Sequence, residues 1–176
     1  MKKLIKTLPI VLLLLAATGY SSYGQKPASH AKDEKLIRDH IDKIFMAYIN
    51  KDTVTIRKTH SKNWRGFLSF STTILRGIDA YMKDALPPDF FETNNQWRMV
   101  SYKMLDYDIV FHDQTGIVSY IAEIFWEDGK EKGSYKLRSV DVYGKENGEW
   151  NQIASNIGPL PTADDAPGKN QETSLK

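Results

Sequence analysis

The chain of 176 residues contains no cysteine. Disulfides, thiol nucleophiles, thiolate-bound zinc and a lipid-modified N-terminal cysteine are all excluded, and stability must come from packing. The chain also lacks a clustered basic face. Outside the leader its charged runs, 32–35 and 127–132, mix signs as solvated surfaces do. A nucleic-acid partner is therefore not expected. Histidine occurs only at 30, 40, 60 and 112, with no pair spaced to ligate a metal from one helix. No nucleophile elbow, phosphate loop, dinucleotide fingerprint or zinc-protease motif is present, so no cofactor or metal is expected.

What is present begins with a leader pattern. Lys2, Lys3 and Lys6 precede an apolar stretch from Leu8 to Ala17, and Ser22-Tyr23-Gly24 puts small residues at −3 and −1 before Gln25. That stretch contains Pro9 and falls well short of the roughly 20 apolar residues a membrane span needs. The pattern predicts a signal peptide over 1–24, cleaved near Gly24, and a periplasmic or secreted product with no membrane attachment. The formal charge of +2 becomes −1 once the three lysines leave. About 150 residues remain, enough for one domain with a substantial core.

Residues 25–32 read as a polar tether. A first helix is expected over 33–50, since Ile37, Ile41, Ile44, Phe45 and Tyr48 fall on one face. Asp52 can cap a short second helix reaching Thr59. Trp64 to Phe70 has strand composition, and a third helical segment runs from Ile78 to about Leu86, stopped by Pro87-Pro88. From Trp97 the apolar period becomes two. Strands are expected over 99–112, 117–126, 134–143 and 150–157, with turns at 113–116, 127–133 and 144–148. One domain over 33–158 results. The tail 159–176, carrying Pro159, Pro161 and Pro167 without apolar period, is expected to be disordered.

The fold class is thus α+β, an antiparallel sheet lined by about three helices. In the strand 117–126 both alternating sets are apolar: Val118, Tyr120, Ala122, Ile124 and Trp126 on one face, Ile117, Ile121 and Phe125 on the other. A one-layer sheet in a monomer ordinarily keeps one polar face. A homodimer formed through the sheet follows as the expectation, with cover by the tail or the long loop as the alternative.

Few residues offer chemistry. His60 and Trp64 could flank a pocket mouth, His60 serving as acid or base because its ordinary pKa is near neutral. The plainer alternative is an exposed turn histidine. Asp106 and Asp108 share a strand face and read as facing water, and His112 adds no ligand spacing. Asp141 shares its face with Leu137, Ser139 and Tyr143, whereas Arg138 lies opposite with Val140 and Val142 and needs a partner, for which Glu123 is the candidate. Tyr48, Trp64, Tyr120 and Trp126 supply aromatic surface suited to a ligand pocket or to an ordinary core.

The order of elements resembles a known superfamily. A helix ending in Tyr48-x-x-x-Asp52, the helix start Gly77-Ile-Asp-Ala-Tyr81 and the closing Gly148-x-Trp-x-x-Ile-Ala-Ser155 are similar to the nuclear transport factor 2-like superfamily. Within it the chain looks most like the SnoaL-like, ketosteroid-isomerase-like exported proteins of bacteria. The resemblance covers about 33–157 and implies a cone: a bent sheet wrapped around helices, a pocket at the open end, often a dimer. It places Arg138 and Asn156 at the pocket with the aromatic residues. In the isomerase-like members the general base is a carboxylate just before the glycine of the third helix, yet Arg65 to Arg76 holds no Asp, Glu or His. The expectation is a binder of a small ligand. A cofactor-free isomerase, cyclase or hydratase using His60 or Asp141 is the alternative, and an oligomerisation module the second.

Overall fold

A computed structural model describes residues 30–161 except 70, 86–88, 91 and 93–94. The leader, most of the tether, Pro87-Pro88 and the tail from 162 onwards lie outside the described residues.

Three helices precede and interrupt the sheet: α1 (Ala31–Ile49), α2 (Thr53–Thr59) and α3 (Ile78–Asp84). Helix α1 starts inside the expected tether, with Asp33 and Glu34 in its first turn where the helix dipole favours acids. Its buried residues include Ile37, Ile41, Ile44 and Phe45, the face that the 3.6-residue period marks. Asp52 caps α2 as expected, accepting the Thr55 N–H at 3.0 Å.

The strands are β1 (His60–Phe67), β2 (Leu75–Arg76), β3 (Trp97–His112), β4 (Thr115–Asp128), β5 (Glu131–Glu146) and β6 (Glu149–Pro159). They form one sheet in the order β2-β1-β6-β5-β4-β3. All neighbours are antiparallel except β1 and β6, which run parallel. The strands are longer than composition suggests, because the hairpins close on two residues each. At Asn147-Gly148 both φ angles are positive, 53° and 85°, the geometry that matches the twist of a hairpin. Register shifts in β3, one between Met99 and Ser101 and one between Met104 and Asp106, bend the sheet around α1. They also carry Leu105 out of the apolar set with Tyr107 and Ile109; it is exposed. Gly66 lets β1 approach β6: a Cβ there would lie 1.9 Å from the Ser155 carbonyl oxygen.

The main core packs α1 against the inner face of β3 to β6, through Val118, Tyr120, Ala122 and Ile124 among others. A second cluster joins Ala47, Ile56, Trp64, Tyr81 and Phe90. The outer face of the sheet carries Ile117, Ile121, Phe125 and Val142, half-buried, with Val110 and Val140 exposed at 48% and 45%. The described helices direct their buried side chains to the inner face.

Candidate functional site

Helix α1 does not fill the cone. Between it, α3 and the inner face lies a cavity of about 610 Å³, within the range of small-molecule sites. Its walls are apolar, with Ile44, Phe45, Met99, Ile124, Leu137 and Ile157 contributing. Trp97, Phe90 and Tyr135 add aromatic surface, and Lys83, Asp84 and Ser69 supply polar groups to the lining.

The remaining polar lining is Tyr48, Tyr81, Tyr120 and Gln152. The Tyr48 and Tyr81 hydroxyls share one hydrogen bond at 2.5 Å. One phenol donates to the other, which leaves the acceptor's own O–H free to point at a guest. Burial pushes the pKa of both above the ordinary phenol range, so they act as neutral donors and not as bases at physiological pH. Gln152 is held at both ends: its Oε1 accepts the Trp64 indole N–H at 3.0 Å, and its Nε2 donates to Asp141 at 2.8 Å.

Asp141 is the anchor of this network. It is 1% exposed, and its carboxylate accepts Ser139 Oγ at 2.6 Å and Ser155 Oγ at 2.5 Å besides Gln152. Desolvation raises its pKa, while the hydrogen bonds from Ser139, Ser155, Tyr120 and Gln152 pull the other way. The side chain sits behind Tyr120 and Gln152 and is not part of the cavity lining. Its oxygens are committed to these donors. It holds the lining in place and does not meet a guest.

His60 belongs neither to an exposed turn nor to a pocket mouth. It opens β1, 5% exposed, with its ring 4.3 Å from that of Tyr81 and 6.4 Å from that of Trp64. Nδ1 lies 2.7 Å from the Ile56 carbonyl oxygen. Because a carbonyl only accepts, Nδ1 carries the proton. Nε2 then has no hydrogen-bond partner among the described residues. Desolvation, chiefly, lowers the pKa to about 4, so the imidazole is neutral at pH 7. Like Trp64, which is fully buried, it packs behind the cavity wall.

Of the residues expected at the pocket, Tyr48 and Tyr120 line it. Trp126 lies near the turn of the β4–β5 hairpin with its ring against Gly133 and is not part of the lining. Arg138 and Asn156 are exposed on the outer face, level with Ile121 and Val140 respectively. For Asn156 the reason is an extra residue at Ile153: Val142 pairs with Ala154 but Tyr143 with Gln152. The alternation flips there, so Gln152 and Ser155 both face Asp141 and Asn156 turns outwards. Arg138 shares the outer face with Val140 and Val142, as its position in the strand implies. Its expected mate does not form: Glu123 accepts Ser134 Oγ at 2.9 Å and stands level with Lys136.

Most of the lining was missed by sequence reasoning, including the hydrogen-bonding Tyr81 and Gln152. Tyr81 was visible as the last residue of the Gly77–Tyr81 segment. Gln152 falls on the face of buried Trp150 by ordinary alternation, but no local pattern marks it as part of a cavity lining.

Neither a family model nor a curated protein matches the sequence. Solved structures do match. A nuclear transport factor 2-like protein from Cytophaga hutchinsonii is 18% identical with TM-score 0.57, over 72% of this chain and 98% of its own. A candidate dehydratase of the same family from Streptomyces avermitilis aligns at TM-score 0.63 and 10% identity, over 74% and 98%. The chain has the nuclear transport factor 2-like fold. The association domain of the C. elegans calcium/calmodulin-dependent kinase II shares it, at TM-score 0.59 and 17% identity over 74% and 98%. At these identities the likeness concerns the fold, which hosts both enzymes and non-enzymes, so function has to be argued from the cavity.

Proposed function

We propose that the chain is a small-ligand-binding protein whose cone cavity holds an apolar molecule by one hydrogen-bonding end. The observation that carries this reading is the apolar-walled space of about 610 Å³ lined by Tyr48, Tyr81, Tyr120 and Gln152. A guest such as a fused-ring alcohol or ketone would bury its rings against Phe45, Ile124 and Leu137 and place its oxygen at the tyrosine pair. Burying about 150 Å² of apolar surface at ~25 cal/mol/Å² contributes on the order of 4 kcal/mol before ordering costs. With about 1 kcal/mol more from the hydrogen bond, affinity near millimolar for a simple aromatic alcohol follows. Titration with 2-naphthol, read by tryptophan fluorescence, tests it: saturable binding weakened about tenfold by Tyr48→Phe supports the reading, and no saturation up to the solubility limit overturns it.

Catalysis is the less supported alternative. A base must reach its proton, and His60 and Asp141 are both buried outside the cavity lining, Asp141 with its oxygens engaged by Ser139, Ser155 and Gln152 and His60 with Nδ1 tied to the Ile56 carbonyl.

The leader pattern supports export, with the ligand met outside the cytoplasm. The apolar outer face supports self-association through the sheet. This second reading rests on Val140 and Val110, exposed beside Ile117, Ile121 and Val142. Sedimentation of the protein purified from an exporting host should show a dimer that Val140→Asp converts to a monomer. A wild-type monomer at ~100 µM, far above the Kd of ordinary stable complexes, would end this reading.

A further inference from the structure

Asp141 is a buried charge without a counter-charge: no ion pair among the described residues includes it. His40 and His60, whose pKa values fall to about 4 chiefly through burial, are neutral at pH 7 and supply no cation. The hydrogen bonds around Asp141 nevertheless hold it as the anion. Ser139, Ser155 and Gln152 converge on its two oxygens, and Gln152 can only donate, because its own Oε1 accepts the Trp64 indole N–H. An anion satisfied by neutral donors alone projects a negative field, strong where no water screens it. That field falls on the cavity. Gln152 and Tyr120 each hydrogen-bond the carboxylate and also line the cavity. It reaches Tyr81 as well: burial, chiefly, raises the pKa of this phenol, and Tyr48 and the charge on Asp141 raise it further.

The lining has the chemistry to hold a positive charge. Phe45, Tyr48, Tyr81, Trp97 and Tyr120 contribute to it, and the face of an aromatic ring attracts a cation. Free hydrogen-bond acceptors are scarce, since Tyr48 and Tyr81 bond each other and Gln152 Oε1 is taken. An ammonium bearing N–H groups would give up its water without replacement, whereas an alkylated one has no such bonds to lose. The charged groups of the lining itself offset each other. Lys83 and Asp84 are neighbours, both exposed, where solvent and salt screen them. Asp141 is not screened, so its sign decides. We propose that the guest of the cone cavity is an apolar organic cation, its charge on a fully alkylated ammonium held among the tyrosine and tryptophan rings in front of the Asp141 carboxylate. The inference rests on the small-ligand reading and deepens it by fixing the charge of the guest. The same field disfavours a carboxylate of equal size.

Three naphthalenes that differ in charge test it: 2-naphthol, 2-naphthoate and trimethyl(2-naphthyl)ammonium, each titrated at pH 7 and read by two-dimensional amide NMR. The cation should bind about tenfold more tightly than 2-naphthol, and naphthoate about tenfold more weakly. The order should survive about 0.5 M salt, because a buried carboxylate is screened little. Asp141→Asn keeps an oxygen acceptor and removes the charge, and should bring cation and anion within about twofold of one another. Asp84→Asn should leave the order unchanged. Naphthoate binding wild type as tightly as the cation would overturn the proposal, whether or not Asp141→Asn folds. So would a cation preference that disappears in salt or with Asp84→Asn, which would put the ammonium at the exposed rim. Saturation by 2-naphthol with no preference for the cation would overturn the proposal and keep the small-ligand reading. No saturation by any of the three would remove that reading as well.

Discussion

Acidification should unfold this protein partly through His60. The imidazole is buried, its Nδ1–H is tied to the Ile56 carbonyl, and its pKa falls from 6.5 to about 4. The folded state therefore holds the neutral ring where the unfolded chain would take a proton. The stability this contributes is complete above pH 6.5 and is lost as the pH falls through 6.5 towards 4. A drop of that size is worth about 3 kcal/mol in full, and about 2 kcal/mol of it is lost between pH 7 and 4.5. His40, edge-on to Tyr143 and also lowered to about 4 by burial, acts in the same direction. Asp141 acts oppositely, since its raised pKa favours protonation in the folded state as the pH falls. His60→Gln removes the first contribution alone while keeping an amide donor for the Ile56 carbonyl. Urea denaturation at pH 7 and pH 4.5 on both proteins gives the answer as a difference of differences, so any loss from the substitution itself cancels. The variant should lose about 2 kcal/mol less than wild type between these pH values. An identical pH dependence in the two proteins would mean that His60 titrates normally, and that the burial assigned to it is wrong.

Other substitutions probe the frame around the cavity. Asp141→Ala leaves Ser139, Ser155 and Gln152 donating to nothing, and should cost about 3–5 kcal/mol in chemical denaturation at pH 7. Gly66→Ala drives a Cβ against the Ser155 carbonyl and should cost on the order of 3 kcal/mol or more, measured the same way. Arg138→Ala, an exposed outer-face change, should leave naphthol affinity within about twofold, read by fluorescence titration.

The parts of the fold that could be read from the sequence are those set by local period. The stripe Ile37, Ile41, Ile44 and Phe45 marks one helical face, and the alternation along β4 separates Val118 and Tyr120 from Ile117 and Ile121. Both are properties of a few neighbouring residues, and the structure buries them accordingly. The facing of Asp141 with Ser139 and Tyr143 was legible for the same reason. Asn156 was not, because a single extra residue at Ile153 inverts the alternation and no residue type in β6 signals it. Arg138 was assigned to the pocket through family resemblance although its own strand period placed it with Val140 and Val142. His60 was illegible as a core residue: it follows a helix end and precedes polar Ser61 and Lys62. Only the packing of Tyr81 and Trp64 over its ring buries it. The pairing of Tyr48 with Tyr81 joins residues from α1 and α3, and no local pattern encodes a contact of that span.

The most direct measurement is native mass spectrometry of the protein purified without refolding from an exporting host, beside a Leu137→Trp variant that fills the cavity. Wild type should retain or take up a small apolar guest, such as added 2-naphthol, that leaves on collisional activation, and the variant should carry none. Equal loading of both proteins, or no uptake by wild type at millimolar naphthol, would contradict a ligand site in the cone.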